Sequence, residues 1–389
     1  MRSLRLALAV LLALTPRSPL LAQLAGDTLR AALAQRYLQI DRVASARPLT
    51  DEQRAVLNRA FDRTTFQFFA GQYAAAIGSM DSMLRVLGSG PLDAPPPPPL
   101  GEARWISGRA PSVVRDSLLA QLARVDSSGA RQQAVVAARS RVALLTDAPS
   151  PSRSVEQSVQ PRAHAAAVGR EVSELRAGRD PYAGRSGDWW REVQVGADRR
   201  VPVRLVVPPS VTADGAAPAP LIVALHGAGG DENMFADAYG AGVLTRLADS
   251  LGAIVISPLA NGLAAPAFDT LLALVAREHR VDMRRVYVVG HSMGAGIAAT
   301  LANQRGAQLA GVAMLAGGAP VTSADAPPLL FVGAALDPVI PAARVKAAAE
   351  ASQAAGQSAT YRELASEGHT LMVGRVLPEA VQWLWGQRR

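Results

Sequence analysis

Apolar positions follow one rhythm in the first half of the chain and another in the second. From Asp27 to about Leu87 they recur at helical spacing. Leu29, Leu33, Tyr37, Leu38 and Ile40 lie on one such face, and Pro48 interrupts it. Thr50-Asp51-Glu52-Gln53 then reads as a capping box, in which Thr50 accepts the free N–H of Gln53 and Gln53 reaches back. The helix it opens carries Val56, Leu57, Phe61, Phe66 and Phe69 before Gly71 breaks it. A further helix, Tyr73 to Leu87, carries Ile77, Met80, Met83 and Leu84. This aromatic and methionine stripe reads as core. Residues 111–146 predict a second helical pair, broken near Ser127-Ser128-Gly129, and another helix follows from His164 to Arg176.

From Trp189 strands and helices alternate. Trp190–Val195 and Val201–Val207 read as a hairpin around Gly196-Ala-Asp. Leu221–Leu225 is short and continuously apolar, as expected of a strand buried on both faces. Predicted next are a helix from Asn233 to Leu251, strand Ala253–Ser257, helix Phe268–His279 and strand Val286–Val289. Helix Met293–Asn303 and strands Leu309–Ala316 and Leu329–Val332 follow. Helix Pro341–Ala355, strand Thr360–Leu364 and helix Thr370–Gly386 complete the series. Such alternation means a mostly parallel sheet with helices on both faces, an α/β class preceded by a separate all-helical region.

The 389 residues suffice for two domains. Residues 26–146 read as the helical region, with a Pro-rich linker at 88–101 (GSGPLDAPPPPPLG) that favours an extended spacer. Residues 147–188 read as linker and connecting helix, and 189–389 as the α/β domain. At the start, Arg2 and Arg5 precede nine apolar residues, Leu6 to Leu14, too few to span a bilayer. With small residues near Ala22 and Ala25, residues 1–25 read as a signal peptide, cleaved there or after Gln23, or else kept as a membrane tether. The mature chain is therefore expected to be exported, periplasmic or secreted, with no membrane span. Cysteine is absent, which excludes disulfides, thiol nucleophiles and thiolate metal sites. The net charge of +8 belongs to the first half: residues 1–190 hold 24 basic and 16 acidic side chains, and 191–389 hold 16 of each. Scattered arginines and 5% aromatics do not make a nucleic-acid surface. A protein partner for the helical region has no support in the sequence.

The chemistry concentrates in the second half. Gly290-His291-Ser292-Met293-Gly294 matches G-x-S-x-G between a predicted strand and a predicted helix, the context in which that turn exposes a serine as nucleophile. Leu225-His226-Gly227-Ala228-Gly229-Gly230 ends a buried strand and can supply an N–H to an oxyanion, from Ala228 or else Gly229, beside the N–H of Met293. No Lys-Ser/Thr follows this loop, which argues against a phosphate site. A serine needs a base and the base an orienting carboxylate. Of five histidines, His164 lies outside the α/β domain, and His226 reads as a brace for its own loop. His279 reads as part of a solvated helix face, and the turn should aim His291 away from the serine. His369, after the last strand, remains as base. Asp337, after strand Leu329–Val332, is the acid, since Asp325 lies on the wrong edge. No His and carboxylate cluster at metal-ligand spacing stands out.

These stretches resemble the α/β-hydrolase superfamily over residues 190–389. Pro220–Gly230, Arg285–Gly294, Leu336-Asp337-Pro338-Val339-Ile-Pro341 and Gly368-His369 are similar to exported carboxylesterases related to polyhydroxybutyrate depolymerases, feruloyl esterases and dienelactone-hydrolase-like enzymes. The resemblance implies a serine esterase with an acyl-enzyme intermediate and no cofactor. The same parts would serve a serine peptidase of prolyl-oligopeptidase type, although the helical first half lacks the strand repeats of a propeller. An inert hydrolase domain on a scaffold protein is the third reading. Only twelve small residues, Gly317 to Pro328, follow the strand after which a cap is usual, and the loop after Pro258 is short. An open, shallow cleft suited to a bulky or polymeric ester is expected, the substrate being a small-molecule or polymeric ester, with the helical region as a loosely tethered accessory.

Overall fold

The computed structural model describes residues 19–88, 109–147 and 161–389. The Arg2–Leu14 segment of the candidate export signal, the proline run and most of the 147–161 stretch lie outside the described residues. The first helical group comprises α1 (Pro19–Ala46), α2 (Asp51–Phe69) and α3 (Tyr73–Val86). The capping box at α2 is formed in both directions: Gln53 N–H donates to Thr50 Oγ1 at 3.3 Å, and Thr50 N–H to Gln53 Oε1 at 3.0 Å. The predicted apolar stripe buries Leu33, Ile40, Leu57, Phe61, Met80 and Leu84 together. Leu371, from the far end of the chain, joins the same cluster. This hairpin is thus packed onto the α/β domain, where the sequence predicted a loose tether.

The second group comprises α4 (Pro111–Leu122), α5 (Gln132–Ala143) and α6 (Pro161–Arg176). Leu122, Ala138, Val142, Val168, Val172 and Tyr182 form its core. It covers the outer edge of the first strand, β1 (Gly187–Gln194). An edge strand leaves backbone groups unpaired, and here side chains of α5 take them up. Gln133 bonds both the C=O and the N–H of Gln194, at 2.7 and 3.1 Å. Ser140 Oγ accepts Glu192 N–H at 2.9 Å, and Arg141 donates to Trp190 C=O at 2.7 Å. The fully buried Arg141 also bonds both oxygens of Glu171, at 3.1 and 2.9 Å, with Tyr182 Oη donating to the same carboxylate at 2.9 Å.

The sheet continues through β2 (Arg200–Val207), β3 (Ala219–Leu225), β4 (Ile254–Pro258), β5 (Val281–His291), β6 (Gly311–Leu315), β7 (Leu329–Ala334) and β8 (Ala359–Leu364). Its order is β1-β2-β4-β3-β5-β6-β7-β8. β1 and β2 are antiparallel to their neighbours, and β3 to β8 run parallel. The period of two sorts side chains to two layers. Leu221, Val223 and Leu225 face α8 (Ala265–Glu278), α9 (Met293–Arg305) and α10 (Ala342–Ala354). Ile222 and Ala224 face α7 (Val243–Leu251) and α11 (Met372–Trp385). The continuous apolar runs of β3, β4, β6 and β7 follow from this, because both of their faces are covered.

Two local predictions are corrected. The helix expected over Asn233–Leu251 is split. Met234–Ala238 forms a wide turn, Ala241 and Gly242 take φ of 52° and 73°, and only Val243–Leu251 is α-helical. The break is made by tertiary contacts: Asp41 of α1 accepts Ala241 N–H at 3.4 Å, and Gly240 lies against Gly374 of α11. His279 is not on a solvated face. It follows the last residue of α8 in extended backbone and is buried, with neither ring nitrogen bonded. Burial, reinforced by Arg191, pushes its pKa down to about 4.

Candidate active site

All the candidate residues sit at the C-terminal edge of the parallel strands, where loops converge and open α/β sheets bind ligands. β5 ends at His291 and α9 starts at Met293, leaving Ser292 alone on the turn between them. Its φ of 52° and ψ of −112° are strained for a residue with a side chain. Two glycines make the turn sterically feasible. A Cβ on Gly290 would lie 2.3 Å from Gly294 C=O, and one on Gly294 would lie 2.0 Å from Leu225 C=O. Ser292 N–H donates to Leu315 C=O at 2.9 Å, which ties the turn to β6.

The structure brings Ser292, His369 and Asp337 into one line. His369 Nε2 is 2.9 Å from Ser292 Oγ, and His369 Nδ1 is 2.7 Å from Asp337 Oδ2. Asp337 is buried, and its Oδ1 accepts the N–H groups of Val339 and Ile340 at 2.8 and 2.9 Å. Those bonds hold the carboxylate, so Nδ1 carries the proton and Nε2 is the acceptor for the serine hydroxyl. Ala228 stands on the loop after β3 and Met293 at the first position of α9, directly after Ser292. Among the described residues neither N–H has a hydrogen-bond acceptor. Gly227 lies so close that a Cβ there would be 2.6 Å from His291 Nδ1 and 3.4 Å from Ser292 Cβ.

A strained serine between the central strand and its helix, followed in chain order by an aspartate after β7 and a histidine after β8, defines the architecture. The fold is that of the α/β-hydrolases. The α/β-hydrolase domain matches the family described as serine aminopeptidase, S33, over residues 267–384, a stretch that contains Ser292, Asp337 and His369. Among solved structures the chain resembles a thermostable esterase at 22% identity, covering 52% of this chain and 63% of that one with a TM-score of 0.43. It resembles an S-formylglutathione hydrolase from Staphylococcus aureus at 14% identity, covering 51% and 97%, with a TM-score of 0.42. A ferulic acid esterase matches at 15% identity over 51% and 98%, with a TM-score of 0.44. No curated protein matches the chain.

His226 and His291, unlike His279, have hydrogen-bond partners of their own. His226 braces its loop as predicted, through Gly227 C=O at 2.8 Å and by accepting Ala260 N–H at 2.9 Å. His291, aimed away from Ser292, joins three loops. Gly227 N–H donates to Tyr239 Oη at 3.4 Å, Tyr239 Oη lies 2.8 Å from His291 Nδ1, and His291 Nε2 lies 2.9 Å from His369 C=O. Burial, with His369 next to it, holds the His291 pKa well below its usual value, so the ring is neutral and relays one hydrogen bond to the next. Tyr239 carried no signal in the sequence, because it stands in the split helix. Asn58 and Asp62, whose only signal was polarity on a helix face otherwise read as core, were also missed, as was Glu367 in the loop before His369.

Proposed function

We propose that the protein is an exported serine hydrolase that cleaves carboxylic esters through an acyl-enzyme. The observation that carries this reading is the Ser292–His369–Asp337 line, with hydrogen bonds of 2.9 and 2.7 Å, on the strained turn. His369 Nε2 takes the Ser292 proton as Oγ bonds the acyl carbon. The tetrahedral oxyanion is held by the N–H groups of Ala228 and Met293, donors worth about 3 kcal/mol apiece in such reactions. Asp337 fixes the ring tautomer and stabilises the imidazolium. His369 returns the proton to the leaving alcohol as the C–O bond breaks. It then deprotonates water, whose attack on the acyl-enzyme releases the acid and restores Ser292. Export rests on Arg2, Arg5 and the Leu6–Leu14 run.

The S33 match supports a second reading, a peptidase acting on an amide with the same residues. The experiment that separates them compares short-chain nitrophenyl esters with aminoacyl and prolyl anilides, using wild type and Ser292→Ala. Ester turnover is expected to fall at least ~1000-fold in Ser292→Ala. Equal ester activity in the two proteins would defeat the proposal, and anilide turnover exceeding ester turnover would favour the peptidase.

A further inference from the structure

Helix α2 is positioned so that one polar stripe faces the loop that carries His369. Arg54, Asn58 and Asp62 lie four residues apart and share one helix face. Arg54 donates to Glu367 Oε1 at 2.8 Å. Asn58 Nδ2 donates to Glu367 Oε2 at 2.9 Å. Asp62 Oδ2 accepts the backbone N–H of His369 itself at 2.9 Å. Asp62 and Asn58 are almost wholly buried, so these bonds are shielded from water. Gly368 lets the helix come this close. A Cβ there would lie 2.1 Å from Asp62 Oδ2 and 3.1 Å from Asn58 Cβ.

The far end of the same helix reaches the loop after β3. A Cβ on Gly229, next to Ala228, would lie 3.1 Å from the Phe68 ring and 3.3 Å from the Phe69 ring. α2 therefore runs from the histidine loop to the candidate oxyanion loop.

We propose that Asp62 is a positioning residue for His369, contributed to the active site by the N-terminal helical segment through the space left by Gly368. The inference rests on His369 being the base of the proposed hydrolase. Two hydrogen bonds hold the backbone of His369 from opposite sides: its N–H donates to Asp62, and its C=O accepts from His291 Nε2. The ring is held separately, by Asp337. Removing the Asp62 bond frees one side of the peptide, and a shift of well under 1 Å at Nε2 is enough to spoil proton transfer from Ser292. Burial raises the Asp62 carboxyl to about 6, opposed mainly by the His369 N–H, so this carboxyl and that N–H are matched to each other. Asp62 Oδ1 is buried without a partner, a cost the fold carries to keep the carboxyl there.

The test uses the full chain and the variants Asp62→Ala and Asp62→Asn. Active sites are counted by fluorophosphonate labelling, and ester turnover is measured per labelled site. Asp62→Ala is expected to lose ~30-fold in kcat per site with KM within about twofold, as befits one lost charge-assisted bond. Asp62→Asn retains an acceptor oxygen and is expected to recover to within about fivefold of wild type. A role in folding alone would lower the labelled fraction and the melting temperature while leaving kcat per site within twofold of wild type, and that result overturns the proposal. Hydrogen–deuterium exchange of the 366–371 backbone reads the same contact without any substrate. In Asp62→Ala the exchange of that segment is expected to rise at least ~10-fold, while the 286–295 segment stays unchanged. Unchanged exchange at 366–371 also overturns it. Failure of the hydrolase reading would show separately, as a wild type with neither turnover nor labelling at Ser292.

Discussion

Replacing Gly368 by Ala adds a single methyl group at the point where helix and loop meet. The residue has no unusual φ, so backbone strain plays no part and the effect is steric. The new Cβ would lie 2.1 Å from Asp62 Oδ2, where ordinary contacts do not fall below 3.0 Å, and 3.1 Å from Asn58 Cβ. Either the carboxylate leaves the His369 N–H or the helix retreats by about 1 Å. Overpacking of this kind costs about 1–3 kcal/mol, and the broken charge-assisted bond about 1.5–3 kcal/mol more. The expected total is about 2.5–6 kcal/mol, shared between stability and the barrier. Urea denaturation should show a loss of about 2–3 kcal/mol, and kcat on a nitrophenyl ester should fall ~10–100-fold. The second variant Asp62→Gly in the Gly368→Ala background removes the clash but not the loss of the bond. It should recover most of the stability and little of the turnover. A Gly368→Ala protein with wild-type urea midpoint and wild-type kcat would refute the close approach and the reasoning built on it.

Asp41 supplies a pH prediction. Burial raises its carboxyl to about 7 against an ordinary 3.8, while the N–H groups of Ala241 and Gly240 pull it down. The folded state therefore holds a proton that the unfolded chain has lost, and stability should fall as pH rises from about 4 to about 7, by up to about 4 kcal/mol. Asp41→Asn should flatten this slope and raise the melting temperature at pH 8 but not at pH 4, and a slope identical to wild type would count against it. In Arg141→Leu, Glu171 loses the guanidinium that pairs with it at 2.9 Å. The expected cost is about 3 kcal/mol in urea denaturation, with kcat of the folded fraction unchanged, because β1 is the sheet's outer strand, far from Ser292.

The parts of the site that were legible in the sequence are those whose geometry is local. The turn around Ser292 is specified by Gly290 and Gly294 within five residues, and Asp337 and His369 each follow directly on a strand. A parallel sheet then brings all such strand ends to one edge, so no long-range guess was needed. The split at Tyr239–Gly242 was illegible because the contacts that cause it come from Asp41 and Gly374, on two distant helices. His279 misled for a related reason. Its neighbours Arg277, Glu278 and Arg280 read as a solvated charge run, but Glu278 is buried in a pair with Arg191 at 2.6 Å, and the chain turns inward there. The docking of α2 was equally hidden. Asn58 and Asp62 look like ordinary polar positions until the loop they hold is known, and Gly368 looked like part of a Gly-His ending rather than a gap.

The contact between Asp62 and His369 joins residues 307 positions apart. Contacts of such long sequence separation form late in folding, after the loop entropy of everything between them has been overcome. As the chain is made, Asp62 is produced 307 positions ahead of the residue it bonds. Until then the polar stripe of α2, Arg54, Asn58 and Asp62, waits for the loop it bonds. His369 therefore lacks one of its two backbone hydrogen bonds until α2 and the loop after β8 have met. In the proposed hydrolase, the support of the base is thus assembled only in the last stage of folding, when α2 and the loop after β8 meet.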